Sequence, residues 1–442
     1  MVFRIFLSAV LVCVPALAAQ KWVGQIPKLA EKVESWHELL SALREAHLPF
    51  GSLVASGDIL NFFGDLPSKE LAYATIISLI DEGYPFSARP LFIPGDIEPG
   101  KDASYRQSYL LYKGIVNADK KMDKWAEHYF SKLDQENFPK YLFYLASEHY
   151  RKGEDAKAIE LLRKALSLTK GAENAVFAKK VARNLARIYY ELTQYEKSYE
   201  IYESFLLKTN PINPGDWLEG AWNLYRLRRY PEALGYLYNM EAKSSGPNVL
   251  LEKYVLRALI YREYCSVEST KALIDSFTQD FGRLINSIKT GEPLNRLPEL
   301  GKLEHPQTLN YRQVIQTLDE LARESQLIPQ LPSKVQPLAR YVYSSEIEHL
   351  KNDKQLLEEN SLEILARHLV ILGESLNFSG FNVALEKYSP ERVFSEQAAA
   401  PVVLIDETED NQKFRLHWIQ TGDFWRDERL YYRGLLENRC DK

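Results

Sequence analysis

The 442-residue chain has eight histidines, three cysteines and 60 acidic side chains, and almost none falls into a pattern that performs chemistry. His37, His47, His128, His149, His305, His349, His368 and His417 never pair as His-x-His or His-x-x-x-His, so no local segment offers two imidazoles to one metal. No Gly-x-Ser-x-Gly elbow, Gly-rich phosphate loop or Cys-x-x-Cys occurs. His149 stands beside Glu148, where a surface or groove histidine is the ordinary reading and a general base the exceptional one. Glu358-Glu359 and Asp427-Glu428 are adjacent carboxylates that point to different sides of a helix, as charge on a solvated face or, for Asp427, as a cap interaction. Asn377-Phe378-Ser379 matches a glycosylation acceptor, a short pattern that chance produces often. The expectation is a protein with no catalytic residues, no metal and no cofactor. An unrecognised enzyme site would need carboxylates gathered in a deep cleft, which only a fold can do.

Residues 1–18 have the form of an export signal. Arg4 opens it, Ile5 to Pro15 is apolar, and Ala16-Leu17-Ala18 is a small-x-small cleavage site. The apolar run is shorter than the ~20 residues a membrane span needs. A lipoprotein reading at Cys13 fails, because Val12 stands where a small residue is required and Cys13 lies inside the apolar run. Cleavage near Ala18 predicts an exported protein, most simply bacterial and periplasmic; a retained N-terminal anchor is the alternative. Cys265 and Cys440 then remain, and an even count in an oxidising compartment predicts one disulfide, with two buried thiols as the other reading. The net charge of −5 offers no basic run for nucleic acid, and no later stretch is long and apolar enough to span a bilayer.

The elements available to position a site read as helices. Leu29, Val33, Trp36, Leu40 and Leu43 make one apolar stripe, ended by Pro49 and Gly51. The following segment reads as short helical turns broken by Gly57, Gly64 and Pro67, and Ser68 reads as the N-cap of the next helix, stopped by Gly83 and Pro85. Tyr105, Tyr109 and Tyr112 are candidate core contacts of a further hairpin. Residues 290–306 break the pattern with Gly and Pro. A helix of over thirty residues follows, with Tyr343, Ile347, Leu350, Leu357, Ile364 and Ile371 in a seven-residue stripe interrupted by Lys354, Ser361 and His368. The tail differs: residues 401–420 could pair as a β-hairpin, and a closing helix capped by Asp423 would end at Cys440, together forming a lid.

Between Tyr141 and Met240 the helices repeat. Leu145-Ala146, Leu185-Ala186 and Gly220-Ala221 occupy one place in a first helix, and Ala158, Ser198 and Ala233 follow twelve residues later in a second. Leu162, Tyr202 and Leu237 continue that face, as do Ala165, Phe205 and Met240, with Gly153, Thr193 and Arg228 at the turns. Small residues let paired helices approach, and large ones fill the gap to the next pair. This pattern resembles the tetratricopeptide repeat family in degenerate form, with Trp217 at the aromatic start position and Pro211 at an end position. The resemblance covers roughly a quarter of the chain and implies an all-α solenoid of helical hairpins. The expected organisation is 1–18 signal, 19–135 N-terminal cap and divergent hairpins, 136–290 repeats, and 291–442 a C-terminal helical region with the β-hairpin and closing helix.

In the family the first helix of each pair lines a concave groove. Carried onto this chain, that implies inward positions at Phe143, Ser147, Tyr150 and Arg151; at Lys180, Arg183, Arg187 and Tyr190; at Leu218, Trp222, Tyr225 and Arg226; and at Val255, Leu259 and Arg262. A basic and aromatic groove suits a peptide with acidic and apolar residues, or a free C-terminus. The chaperone-binding clamp of the family is not matched: Asn184 fits it, but Phe143, Ser147, Gly215 and Glu219 do not. The implied function is a non-enzymatic scaffold or adaptor for another protein in the cell envelope, with the chain expected to be a monomer. The alternatives are filling of the groove by the long C-terminal helix, and a small-ligand or glycan site under the lid using Trp222, Trp418 or Trp425.

Overall fold

Six helical hairpins share one internal geometry, set by a left-handed residue at the turn. The computed structural model describes residues 32–84, 99–101, 103–169, 175–208, 212–240 and 251–388, with 433, 434 and 440. Among these, the hairpins are α1 (Val33–Glu45) with α2 (Pro49–Phe62), α4 (Arg106–Asp119) with α5 (Asp123–Phe130), and α6 (Pro139–Arg151) with α7 (Asp155–Leu168). They continue with α8 (Ala175–Glu191) and α9 (Tyr195–Ile201), α10 (Pro214–Arg226) and α11 (Tyr230–Asn239), and α12 (Glu252–Glu263) and α13 (Val267–Lys289). The remaining helices are α3 (Leu66–Glu82), α14 (Leu309–Ser325) and α15 (Gln336–Tyr388). No strand occurs among the described residues. The β-hairpin and closing helix expected in the tail, and the export signal, lie outside them.

At each turn one residue takes positive φ: His47, Lys121, Gly153, Thr193, Arg228 and Cys265. Its N–H bonds the carbonyl three residues back, and the next N–H bonds the carbonyl five residues back, as Thr193 to Tyr190 at 3.0 Å and Gln194 to Tyr189 at 2.9 Å. This is a Schellman closure, which satisfies the last carbonyls of the first helix and aims the chain into the second. Seven residues before that position stands Leu40, Gly114, Ala146, Ala186, Ala221 or Ala258, and five after it stands Ser52, Ala126, Ala158, Ser198, Ala233 or Thr270. The latter six side chains are all buried, between 0% and 4% exposed. Small groups at both places in the last five hairpins, and at the second place in the first, let the two helices touch; Ser198 also donates its hydroxyl to the Ala186 carbonyl at 2.8 Å.

Two local expectations change. The segment after Pro49 is one helix, not broken turns: Pro49 starts α2, and Gly51 and Gly57 lie inside it. Burial of almost every face of α2 outweighs the helix cost of two glycines, ~1 kcal/mol each. The cap of α3 is Asp65 rather than Ser68, its carboxylate accepting the Ser68 N–H at 2.9 Å, with Pro67 in the first turn where no N–H is needed.

The chain divides into two units, one of residues 1–185 with 309–358, the other of residues 186–308 with 359–442. In the first, the core joins Trp36, Leu39, Leu43, Ile59, Tyr73, Ile76 and Tyr109 to Leu321, Leu338, Val342, Tyr343 and Leu350, so α14 and the start of α15 complete a core begun by α1 to α4. In the second, α11 and α12 pack on one another, α10 on α9, α11 and α12, and α13 on α12. The 359–378 part of α15 buries Leu362, Leu365, Leu369, Leu372 and Leu376, and its Gly373 lies close against Ile285 and Phe277 of α13. α15 is 53 residues long. Its seven-residue stripe does not stay buried: Tyr343 and Leu350 are core, whereas Ile371 and Phe378 are 55% and 65% exposed. A seven-residue stripe drifts ~20° per heptad around an α-helix, so within the second unit a different set, Leu362, Leu365, Leu369, Leu372 and Leu376, is the buried one.

Candidate binding site

In the second unit the last turn of α8 lies beside α10 through a charged pair. Arg187 donates Nε and Nη2 to the two carboxylate oxygens of Glu219, at 2.8 and 2.5 Å. The Tyr202 hydroxyl also donates to Glu219. Tyr202 opens a π-helical turn, Tyr202–Leu206, closed by the Leu207 N–H on the Tyr202 carbonyl at 2.9 Å. Such turns widen a helix locally and often accompany functional positions. Burial alone would depress the Arg187 guanidinium, but its fork on Glu219 outweighs this and holds it above the usual arginine range. Burial and the Glu219 charge keep Tyr202 protonated far above the usual tyrosine range. Arg187, expected as a ligand contact, is therefore already held by a carboxylate in the fold.

Arg226, one position beyond the end-turn tyrosine of α10, is exposed and differently placed. Its Nε donates to the neutral hydroxyl of Tyr190 at 3.2 Å. No carboxylate pairs with its guanidinium among the described residues. The Tyr190 bond holds the Arg226 cation above its usual range. Around it, Trp222 and Tyr225 meet edge to face at 5.8 Å, Tyr190 meets Tyr195 at 5.2 Å, and Tyr225 meets Tyr230 at 5.5 Å. Tyr230 in turn touches Tyr264 at 5.7 Å, and the Tyr225 hydroxyl reaches Glu263 at 3.4 Å. Aromatic rings thus run along the turn ends of α10–α11 and α12–α13, with their hydroxyls kept protonated by burial. Glu252 retains access to water, yet the surrounding protein raises its pKa; the Trp222 indole N–H faces it and opposes that rise, and Glu219 adds to it.

The first unit holds the other expected positions. Phe143 is 9% exposed and packs edge to face on Phe177 at 5.7 Å, beneath the Lys180 ammonium at 5.3 Å. Lys180 keeps access to water, and desolvation lowers its pKa. Tyr150 and Arg183 are half-buried, and neither they nor Arg262 of the second unit lacks a partner. Arg151 pairs with Glu148 on its own helix. His149 bonds Glu154 at 2.6 Å across the Gly153 turn, an exposed staple between the two helices of the hairpin. A cavity of about 270 Å³ opens among Arg44, His47, Ser52, Thr75, Glu82 and Tyr84. Ser52 and Thr75 spend their hydroxyl protons on their own helix carbonyls, so no converging set of donors or paired carboxylates forms there.

No three His, Cys, Asp or Glu side chains converge on a metal position, and no helix is long and apolar enough to cross a membrane, among the described residues. Cys265 and Cys440 lie at disulfide distance, Cα to Cα 4.9 Å, next to a tail contact in which the Gly434 N–H meets the Pro231 carbonyl at 2.7 Å. Trp418 and Trp425 lie outside the described residues. Glu219, Tyr202 and Glu252 are the site residues that sequence reading missed. Their signal was faint: carboxylates and a tyrosine on repeat helices, indistinguishable from solvated positions until neighbouring helices are placed. Comparison with protein-family models, with curated proteins and with solved structures finds no match for this chain.

Proposed function

We propose that this protein is an exported, non-enzymatic scaffold or adaptor built from tetratricopeptide-like hairpins, and that it binds another protein through the aromatic face of its second unit. Arg226 carries the reading. It is an exposed guanidinium fixed by a neutral tyrosine rather than by a carboxylate, so its remaining N–H donors can take an acidic side chain or a C-terminal carboxylate. Tyr190, Trp222 and Tyr225 border it, and Trp, Tyr and Arg are the side chains in which binding energy concentrates at protein interfaces. Arg187 and Glu219 would keep α8 and α10 in register beneath that surface. The shared turn geometry of the six hairpins supports the repeat reading, and the absence of catalytic constellations in the sequence is consistent with a binding role.

The test is binding by the mature chain, first by capture from cell-envelope extract to name a partner, then by titration with that purified partner. Arg226→Glu and Tyr225→Ala, checked for unchanged helicity, should each weaken binding at least about tenfold, the scale of one interface anchor. Equal affinity of parent and both variants would remove this surface as the site. A parent that captures no protein but binds oligosaccharides would replace the reading with the small-ligand one.

A further inference from the structure

His305 lies in the connection between α13 and α14, and His368 on the 359–378 part of α15, both within the second unit. Their ring centroids are 4.8 Å apart and tilted at 56°. Each ring is half-buried. His305 Nδ1 accepts the Gln307 N–H at 3.3 Å, which requires a lone pair at that nitrogen and so a neutral ring with its proton on Nε2. Protonating His305 would put a hydrogen where Gln307 already donates. Protonating both would set two cations about 5 Å apart in a partly dry place.

Among the described residues no carboxylate acts on either ring. The charged groups on the packed elements are Glu292, Arg296, Glu299, Lys302 and Glu304 on the connection, Glu268, Lys271, Asp275, Asp280, Arg283 and Lys289 on α13, and Glu359, Glu363, Arg367 and Glu374 on the 359–378 part of α15. Glu363 is taken by Arg367 at 2.6 Å, Glu374 by Lys289 at 2.9 Å, and Glu304 has a partner of its own. Neither ring is held by a carboxylate: burial depresses both, and the one charge that acts on His368 is His305.

We propose that His305 and His368 form an acid-released latch, which when neutral holds the 359–378 part of α15 against the 300–308 connection and on protonation lets it go. Folded pKa values below the unfolded one mean that the loosened form binds more protons. The latch is therefore intact above the ordinary histidine pKa, about 6.5, and weakens as pH falls below it. Release would uncover Leu362, Leu365, Leu369 and Leu372 on α15 and the α13 surface around Phe277.

Hydrogen exchange of the mature chain at pH 7.5 and pH 5.0, corrected for intrinsic rates, reads the latch directly. Peptides from 300–308 and 359–378 should lose protection several-fold at pH 5.0 while α10 and α11 keep theirs. The variant His305→Gln with His368→Gln should show no such local loss. Equal protection of the parent at both pH values, or the same loss in the double variant, overturns the proposal. If the variant does not fold, an NMR titration of the parent decides: imidazole pKa values below 6.5 for both rings support the latch, and values at or above 6.5 overturn it.

Discussion

Glu324 on α14 accepts the backbone N–H of Gly51 on α2 at 2.8 Å, across 273 residues of sequence. The same carboxylate accepts the Phe50 N–H at 3.0 Å and the Tyr343 hydroxyl at 2.7 Å. α2 has no side-chain cap of its own. Its first amides are therefore capped from another part of the first unit, and the negative charge meets the positive end of the helix dipole. Gly51 is needed because a Cβ there would collide with the Tyr343 hydroxyl.

Removing the carboxylate should unfold the first unit early. Glu324→Ala leaves two amides and a hydroxyl buried without an acceptor, an expected loss of about 3 kcal/mol or more. Glu324→Gln keeps one acceptor oxygen and should lose less. Gly51→Ala should lose about 1–3 kcal/mol by overpacking against Tyr343. Urea unfolding checks all three, and a Glu324→Ala variant as stable as the parent would show that this cap does not support α2.

Thr193 and Arg228 carry a Cβ in the left-handed region, at φ 58° and 60°, in exposed turns. Glycine adopts that conformation without the Cβ penalty of about 1–2 kcal/mol. Thr193→Gly and Arg228→Gly should each raise stability by up to about 1 kcal/mol, part of the gain being offset by unfolded-chain entropy. Gly153→Ala, at φ 79°, should lower it. Thermal melts of the three variants test the signs.

Arg187 and Glu219 should behave as a structural pair. Arg187→Met leaves a crowded carboxylate without its fork and should cost about 1–3 kcal/mol, and Glu219→Gln somewhat less. Arg187→Glu should be worse than either, because it faces Glu219 with a like charge. A reversed pair, Arg187→Glu with Glu219→Arg, should recover part of the loss in chemical denaturation. Additive losses would mean that the two residues do not interact in solution.

The cap of α3 makes a prediction about acid. The Ser68 N–H bond, followed by the Ser68 hydroxyl, holds the Asp65 carboxyl below its usual range. A carboxylate with a depressed folded pKa contributes stability that is present above the unfolded value, about pH 4, and disappears as pH falls through the folded one. Asp65→Ala should therefore cost about 1 kcal/mol at pH 7 and progressively less below pH 4. A pH series of melts for parent and variant should show the two curves converge in acid.

Spacing alone determined the helical class, the twelve-residue offset between small residues, and the turns at Gly153, Thr193 and Arg228, because these depend on contacts within one hairpin. Trp36, Leu40, Leu43 and Tyr109 were legible as core for the same reason: a local stripe must be buried somewhere. What the tertiary structure decided is which distant groups meet. Glu324 reads as one more charge on an amphipathic helix until the Gly51 amide is beside it. Arg187 reads as a free cation until Glu219 arrives from α10, whereas Arg226 meets the neutral Tyr190 hydroxyl. His305 and His368 are unremarkable in sequence, 63 positions apart. Whether a charged side chain is a ligand contact or a structural partner depends on the desolvation and pairing it meets after packing, and neither is encoded within the few residues around it.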